Sequence, residues 1–154
     1  MSISIENSDF FSLIYKVVNE KIPFNKLLGI TVDSIADDNI KIKIKMKDEF
    51  VGNYIKKTLH GGVISSIIDV TGGMAAFISF YKKNMEQTIE AQQKKFSGLG
   101  TVDLRVDYLR PGYGDWFIAS GYTLRAGNKI AVTRIELNND VGKLIAVGTG
   151  TYIL

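Results

Sequence analysis

The chain has 154 residues, 45% hydrophobic and 23% charged, a balance that suits one globular domain with a sizeable core. With no cysteine and a single histidine, a disulfide framework, a thiolate nucleophile and a histidine-rich metal site within one chain are excluded. The 19 basic and 16 acidic residues leave +3, well short of a nucleic-acid-binding signature.

The N-terminal MSISIENSDFF carries acidic residues where a secretory leader needs basic ones, so the chain is expected in the cytoplasm. Phe10, Leu13, Ile14, Val17 and Val18 fall on one side at helical spacing and predict a helix over Asp9–Lys21, with Ser8 or Asp9 as N-cap. Pro23 ends it, and PFNKLLGI is a further turn of helix leading into a strand over Ile30–Ala36. Residues 1–28 thus form an N-terminal helical segment of a single domain spanning 1–154.

After a turn at Asp37, Asp38 and Asn39, the stretch Asn39–Lys47 alternates cleanly. Ile40, Ile42, Ile44 and Met46 lie on one face and Lys41, Lys43, Lys45 and Lys47 on the other, a half-buried strand. The lysine face is read as a solvated or edge-protecting one, in preference to a site for a phosphorylated ligand. Asp48–Lys57 is expected to be a loop carrying Asn53 toward the next element.

The stretch TLHGGVISSIIDVTGGMAAFISFY over Thr58–Tyr81 holds that element, a long apolar helix that starts at His60 and contains one charge, Asp69. A bilayer-spanning helix needs about 20 apolar residues. Asp69, the glycines and the hydroxyls stand where lipid contact would favour leucine, so no membrane role is expected. The polar KKNMEQTIEAQQKKFSG that follows keeps a weak stripe of Met85, Ile89, Gln92 or Gln93, and Phe96, as a lid over an apolar ligand or as a short surface helix. Four strands complete the chain: Gly100–Leu109, Trp116–Arg125, Lys129–Leu137 and Lys143–Ile153. Their short connections argue for antiparallel pairing and an α+β class, with the sheet curled around a helix apolar on nearly all sides.

Asp69 is the anomaly, because an ionised group in such a helix must face a polar cavity, pair, or do chemistry. The His60-Gly61-Gly62 start leaves backbone N–H groups unpaired at the positive end of the helix, a ready site for a developing oxyanion or simply a tight turn. Asp69 lies eight residues beyond Gly61, a rise of roughly 12 Å, so one carbonyl cannot touch both. If the two act together, they come from different chains, as in two helices packed antiparallel about a two-fold axis. A structural alternative is a carboxylate bonded to backbone or to an arginine such as Arg105. The mid-helix pair Gly72 and Gly73, each about 1 kcal/mol worse than alanine, calls for a packing reason.

LHGGVISSIID resembles the motif of the PaaI-like hotdog-fold acyl-CoA thioesterases. VGNYIKKTLHGGVISSIIDVTGG, GTVDLRVDYLRPG and LRAGNKIAVTRIEL are similar, in the same order, to the bacterial medium- and long-chain enzymes of that group. The resemblance runs from about Pro23 onward and implies a hotdog fold, a long helix held in a curled antiparallel sheet. It implies hydrolysis of an acyl-CoA to free acid and CoA, with no metal and no redox cofactor. The active site would be shared between chains of a homodimer or a dimer of dimers.

By the same resemblance, Gly61, with Gly62 behind it, polarises the thioester carbonyl, and Asp69 of the partner chain is general base or nucleophile. Thr101 helps hold the attacking water, and His60 and Asn53 line the site. Asn53 stands one residue farther from the histidine than the asparagine of many relatives. Arg125, Asn128 and Lys129 resemble a segment that meets the CoA moiety; an ordinary charged hairpin is the alternative. Met74, Phe77, Phe80, Met85, Ile89 and Phe96 are candidates to line an acyl tunnel or to fill the core. A non-catalytic acyl-CoA sensor or carrier, and a dehydratase of the same fold, are the rival functions.

Overall fold

The computed structural model describes residues 5–85 and 88–153. The alternating isoleucines organise the sheet. In β2 (Asn39–Lys45), Ile40, Ile42 and Ile44 are buried while Lys41 and Lys45 face solvent, and Lys43 extends over the Trp116 ring at 4.2 Å. β2 lies between β1 (Thr31–Ala36) and β6 (Trp116–Ala126). β7 (Ile130–Asn139), β8 (Leu144–Ile153) and β5 (Gly100–Tyr108) continue the sheet, whose order is β1-β2-β6-β7-β8-β5 with every pair antiparallel. β5 is an edge strand, and its Val102 and Tyr108 are 58% and 53% exposed.

The central helix α3 runs Gly61–Lys83 and packs on five strands of the six-stranded sheet. From Thr71 to Ile78 it is buried on all sides, against Phe117, Ala119, Ile135, Leu137 and Ala146 of the sheet. It is long and apolar enough to cross a membrane, but those same apolar residues form the core of this fold. Its first half is different: Gly62 is exposed, and Val63, Ser65, Ser66, Asp69 and Val70 are only half-buried.

The N-terminal segment packs across this assembly. α1 (Ile5–Lys16) starts four residues before the expected Asp9, so Asp9 lies inside the helix and does not cap it; the apolar stripe, which starts at Phe10, marks only the packed part. The helix widens into one π turn, Val17–Lys21, before Pro23 opens the short α2 (Pro23–Leu28), and Gly29 at φ 71° closes that helix in the left-handed region. Phe10 stacks on Tyr81 with ring centroids 3.5 Å apart and packs on Phe77 at 5.6 Å. Asn19 Oδ1 accepts the Val32 N–H at 2.8 Å, and Asn25 Nδ2 donates to the Val18 carbonyl at 3.1 Å. These contacts hold the segment as a fixed wall.

Two other expectations change. The stretch read as a loop over Asp48–Lys57 is a 3-10 turn at Asp48–Phe50 followed by a small hairpin of β3 (Val51–Asn53) and β4 (Thr58–Leu59). Strands this short carry no alternation that could reveal them. The polar stretch after α3 contains α4 (Ile89–Phe96), capped by Thr88 Oγ1, which accepts the Ala91 N–H at 3.3 Å. It rests on α3 through Phe96, whose ring meets Phe77 edge-on at 5.0 Å. Met85 is exposed, and the Ile89 side chain and residues 86–87 lie outside the described residues.

Candidate active site

The β3–β4 hairpin delivers the chain to the start of α3. Phe50 O accepts the His60 N–H at 2.8 Å, which fixes His60 as N-cap. Its Nδ1 accepts the Gly62 N–H at 2.8 Å, which leaves the ring proton of the neutral form on Nε2. His60 O takes the N–H groups of Val63 and Ile64. Of the first helical N–H groups, that of Gly61 is the one with no acceptor among the described residues.

The two glycines therefore have different reasons. A Cβ at Gly62 would stand 3.0 Å from His60 Nδ1 and press on the cap, whereas at Gly61 the nearest atom would be Tyr108 Cε1 at 3.4 Å, an ordinary contact. Nothing in this chain requires Gly61 to lack a side chain; without one, a ligand carbonyl can approach its unpaired N–H closely. Tyr108, at the end of β5, walls this spot, with its hydroxyl 2.5 Å from Ser65 Oγ and 3.2 Å from the Gly61 carbonyl. Asn53 ends β3, opposite Thr58 of β4, and its Oδ1 accepts the N–H groups of Ile55 at 3.1 Å and Lys56 at 2.9 Å.

Asp69 lies two turns farther along α3, half-buried in the wall of a depression. Thr101 Oγ1 of β5 donates to Asp69 Oδ1 at 2.9 Å. The Tyr152 hydroxyl of β8 lies 3.2 Å from the same Oδ1 and 3.0 Å from the Asp69 main-chain carbonyl. Oδ2 has no partner among the described residues. Arg105, the alternative structural partner, bonds Asp107 at 3.1 Å instead. The cavity facing this carboxylate holds about 280 Å³, and its walls are chiefly apolar: Ile22 and Phe24 on the N-terminal segment, Val70 and Met74 on α3, then Phe96 and Leu99.

Tyr152 was not foreseen, because a tyrosine in a terminal strand reads as core, and indeed it is 1% exposed. What makes it a site residue is register: Tyr152 stands directly across the β5–β8 ladder from Thr101. Burial first, and the Asp69 carboxylate second, push its phenol well above the ordinary tyrosine value, so it remains a neutral donor. The Thr133 hydroxyl faces the phenol without closing a hydrogen bond of good geometry, so its opposing pull is weak. The expected packing reason for the glycine pair is found here: a Cβ at Gly72 would collide with the Tyr152 hydroxyl and stand 2.9 Å from both Ile135 Cδ1 and Thr133 Oγ1. At Gly73 it would sit 3.4 Å from the same tyrosine ring.

The sequence-predicted residues thus form two groups on one chain, His60, Gly61 and Gly62 at the helix start, and Asp69 with Thr101 farther along, while Asn53 is exposed at the hairpin turn with its side chain bonded to Ile55 and Lys56. The third set, Arg125, Asn128 and Lys129, lies exposed at the β6–β7 turn. Lys83 Nζ, at the last residue of α3, donates to the Ala126 carbonyl in this turn. The turn is therefore fastened roughly 20 Å along the helix from Asp69 of its own chain, and roughly 30 Å from Gly61.

A profile of the thioesterase superfamily matches residues 56–146. The medium/long-chain acyl-CoA thioesterase YigI of Escherichia coli is 36% identical over 154 residues, covering 100% of this chain and 99% of that protein. The chain belongs to the thioesterase superfamily. A solved structure from Shewanella oneidensis, described as related to this superfamily, superposes with a TM-score of 0.93 at 41% identity, over 99% of each chain. Another from Syntrophus aciditrophicus, named as a thioesterase candidate, reaches 0.88 at 46% identity over 98% of this chain and 99% of that one. The hotdog fold implied by the motif is the fold found. The superfamily match contains His60, Gly61, Gly62, Asp69 and Thr101 but leaves out Asn53, Tyr152 and the whole N-terminal segment.

Proposed function

We propose that this protein is an acyl-CoA thioesterase, hydrolysing medium- or long-chain fatty acyl-CoA to free acid and CoA. The reading rests above all on Asp69: a half-buried carboxylate facing an apolar cleft, with Oδ1 held by two hydroxyls and Oδ2 open. The full-length similarity to the Escherichia coli enzyme supports the substrate class.

In this mechanism the Gly61 N–H, at the positive end of α3, donates to the thioester oxygen and stabilises the oxyanion as it develops. Asp69 Oδ2 takes a proton from water or attacks the carbonyl carbon itself, forming a mixed anhydride that water then opens. Either route expels CoA as the thiol and leaves the acid. Thr101 and Tyr152 fix the carboxylate so that Oδ2 is the oxygen presented. His60 holds Gly62 in place and thereby aims the neighbouring N–H.

Gly61 and Asp69 of one chain cannot serve one carbonyl, so the working site pairs Gly61 of one protomer with Asp69 of another. Two features support such a dimer: the open β5 edge with its exposed Val102, and the half-exposed first half of α3 beside it. Arg125, Asn128 and Lys129 would reach the CoA moiety from a neighbouring chain. Thiol release from an acyl-CoA series tests the activity. Asp69→Asn should lower kcat by about 10²–10⁴-fold while the oligomer stays folded, and near-normal turnover in that variant would overturn the assignment.

A further inference from the structure

The cleft at Asp69 is followed by a second cavity. It also holds about 280 Å³ and is lined by Leu13, Ile14 and Val17 of the N-terminal segment and by Phe77, with Lys16, Lys21 and Gln93 at its rim. Phe96 is the one residue that lines both. The two cavities are consecutive along a single seam. On α3, the first is walled by Asp69, Val70, Gly73 and Met74 and the second by Phe77, which is the i, i+4, i+8 stripe of one helix face. On the opposite side, residues 22–25 wall the first cavity and residues 13–21 the second, so the N-terminal segment runs past both in order. Between them stands the Phe96 ring, edge-on to Phe77.

We infer that this seam is the acyl-tail channel and that Phe96 sets how long a tail the enzyme takes. The inference rests on the acyl-CoA reading above. An extended tail entering at Asp69 passes Val70 and Met74 and meets the Phe96 ring; a longer tail gains further burial only where that ring swings off Phe77 and opens the Leu13–Ile14–Val17 cavity. Burying each methylene is worth about fourfold in kcat/KM, so the series of chain lengths reads directly how much tail finds apolar wall. Phe96 meets the tail rather than the reacting atoms, so its effect is read in how kcat/KM changes with chain length and not in the rate at any one length.

The experiment is kcat/KM across saturated acyl-CoAs of increasing length for the wild type, Phe96→Ala, and Phe96→Ala combined with Leu13→Trp, which refills the second cavity. In the wild type kcat/KM should climb with length and then level off. In Phe96→Ala the climb should continue, raising the ratio of the longest to the medium substrates roughly tenfold or more. Adding Leu13→Trp should restore the wild-type plateau. A plateau at the same length in Phe96→Ala, or a parallel change at every length, would overturn the proposal. So would persistence of the gain with Leu13→Trp present. Failure of the wild type to cleave any acyl-CoA would instead sink the functional reading, and the two failures are thus told apart.

Discussion

Removing one oxygen tests the carboxylate arrangement. Tyr152→Phe deletes the hydroxyl that lies 3.2 Å from Asp69 Oδ1 and 3.0 Å from the Asp69 carbonyl, and leaves a ring that still fits beside Gly72 and Gly73. A hydrogen bond to a charged group contributes about 1.5–3 kcal/mol. Asp69 is only half-buried and keeps Thr101, so the lower end, about 1.5 kcal/mol, applies. If Oδ2 is aimed through Oδ1, that amounts to roughly a tenfold fall in kcat with KM little changed. Tyr152 also sets a pH dependence of stability at the alkaline end. The folded-state phenol is raised, so its contribution is intact below the unfolded-chain value near 10 and is lost as pH rises beyond it. Stability of the wild type should therefore drop above about pH 10 more steeply than that of the variant. Steady-state kinetics against pH, with urea melts in parallel, read all of this. Wild-type kcat with only a lower urea midpoint would reduce Tyr152 to packing and refute the argument.

The shared site predicts that two dead homodimers rescue each other. Asp69→Asn mixed and refolded with a bulky Gly61 variant gives heterodimers with one intact site each, so about a quarter of wild-type turnover should return. No recovery despite heterodimer formation would place both groups in one chain. The glycines should separate by kind of damage. Gly72→Ala gains about 1 kcal/mol of helix propensity, but its Cβ meets Tyr152, Ile135 and Thr133 at an overpacking cost of about 1–3 kcal/mol, so the urea midpoint should fall. Gly61→Ala should melt within about 0.5 kcal/mol of the wild type yet lose at least roughly tenfold in kcat/KM, because its methyl group occupies the carbonyl's approach.

The fold was legible wherever hydrophobic period and element length agree. The Ile40, Ile42, Ile44 alternation, the long uncharged runs flanking Asp69 and the four turn-separated strands all lie within a few residues of their expected bounds. The β3–β4 hairpin escaped because strands of three and two residues have no period to detect, and the π turn because an amphipathic stripe does not register one widened turn. Within the site, residues on the His60–Asp69 stretch could be read from local spacing. Tyr108 and Tyr152 could not, since each acquires its role from the sheet: Tyr152 through its register opposite Thr101, Tyr108 by ending β5 over Gly61. Of the six side chains named for the tunnel, Met74, Phe77 and Phe96 line the two cavities, while Phe80 is buried and Met85 exposed; only three-dimensional placement sorts them.

The anchored N-terminal segment divides the labour of the molecule. Every group assigned to bond breaking belongs to α3 and its N-cap, β5 or β8. One whole wall of the seam belongs to residues 13–25, which lie outside the stretch matched to the superfamily. Substitutions in that wall can retune the reach of the seam without disturbing a hydrogen bond at Asp69. The geometry thus separates the wall that sets how far a tail can reach from the groups that break the bond.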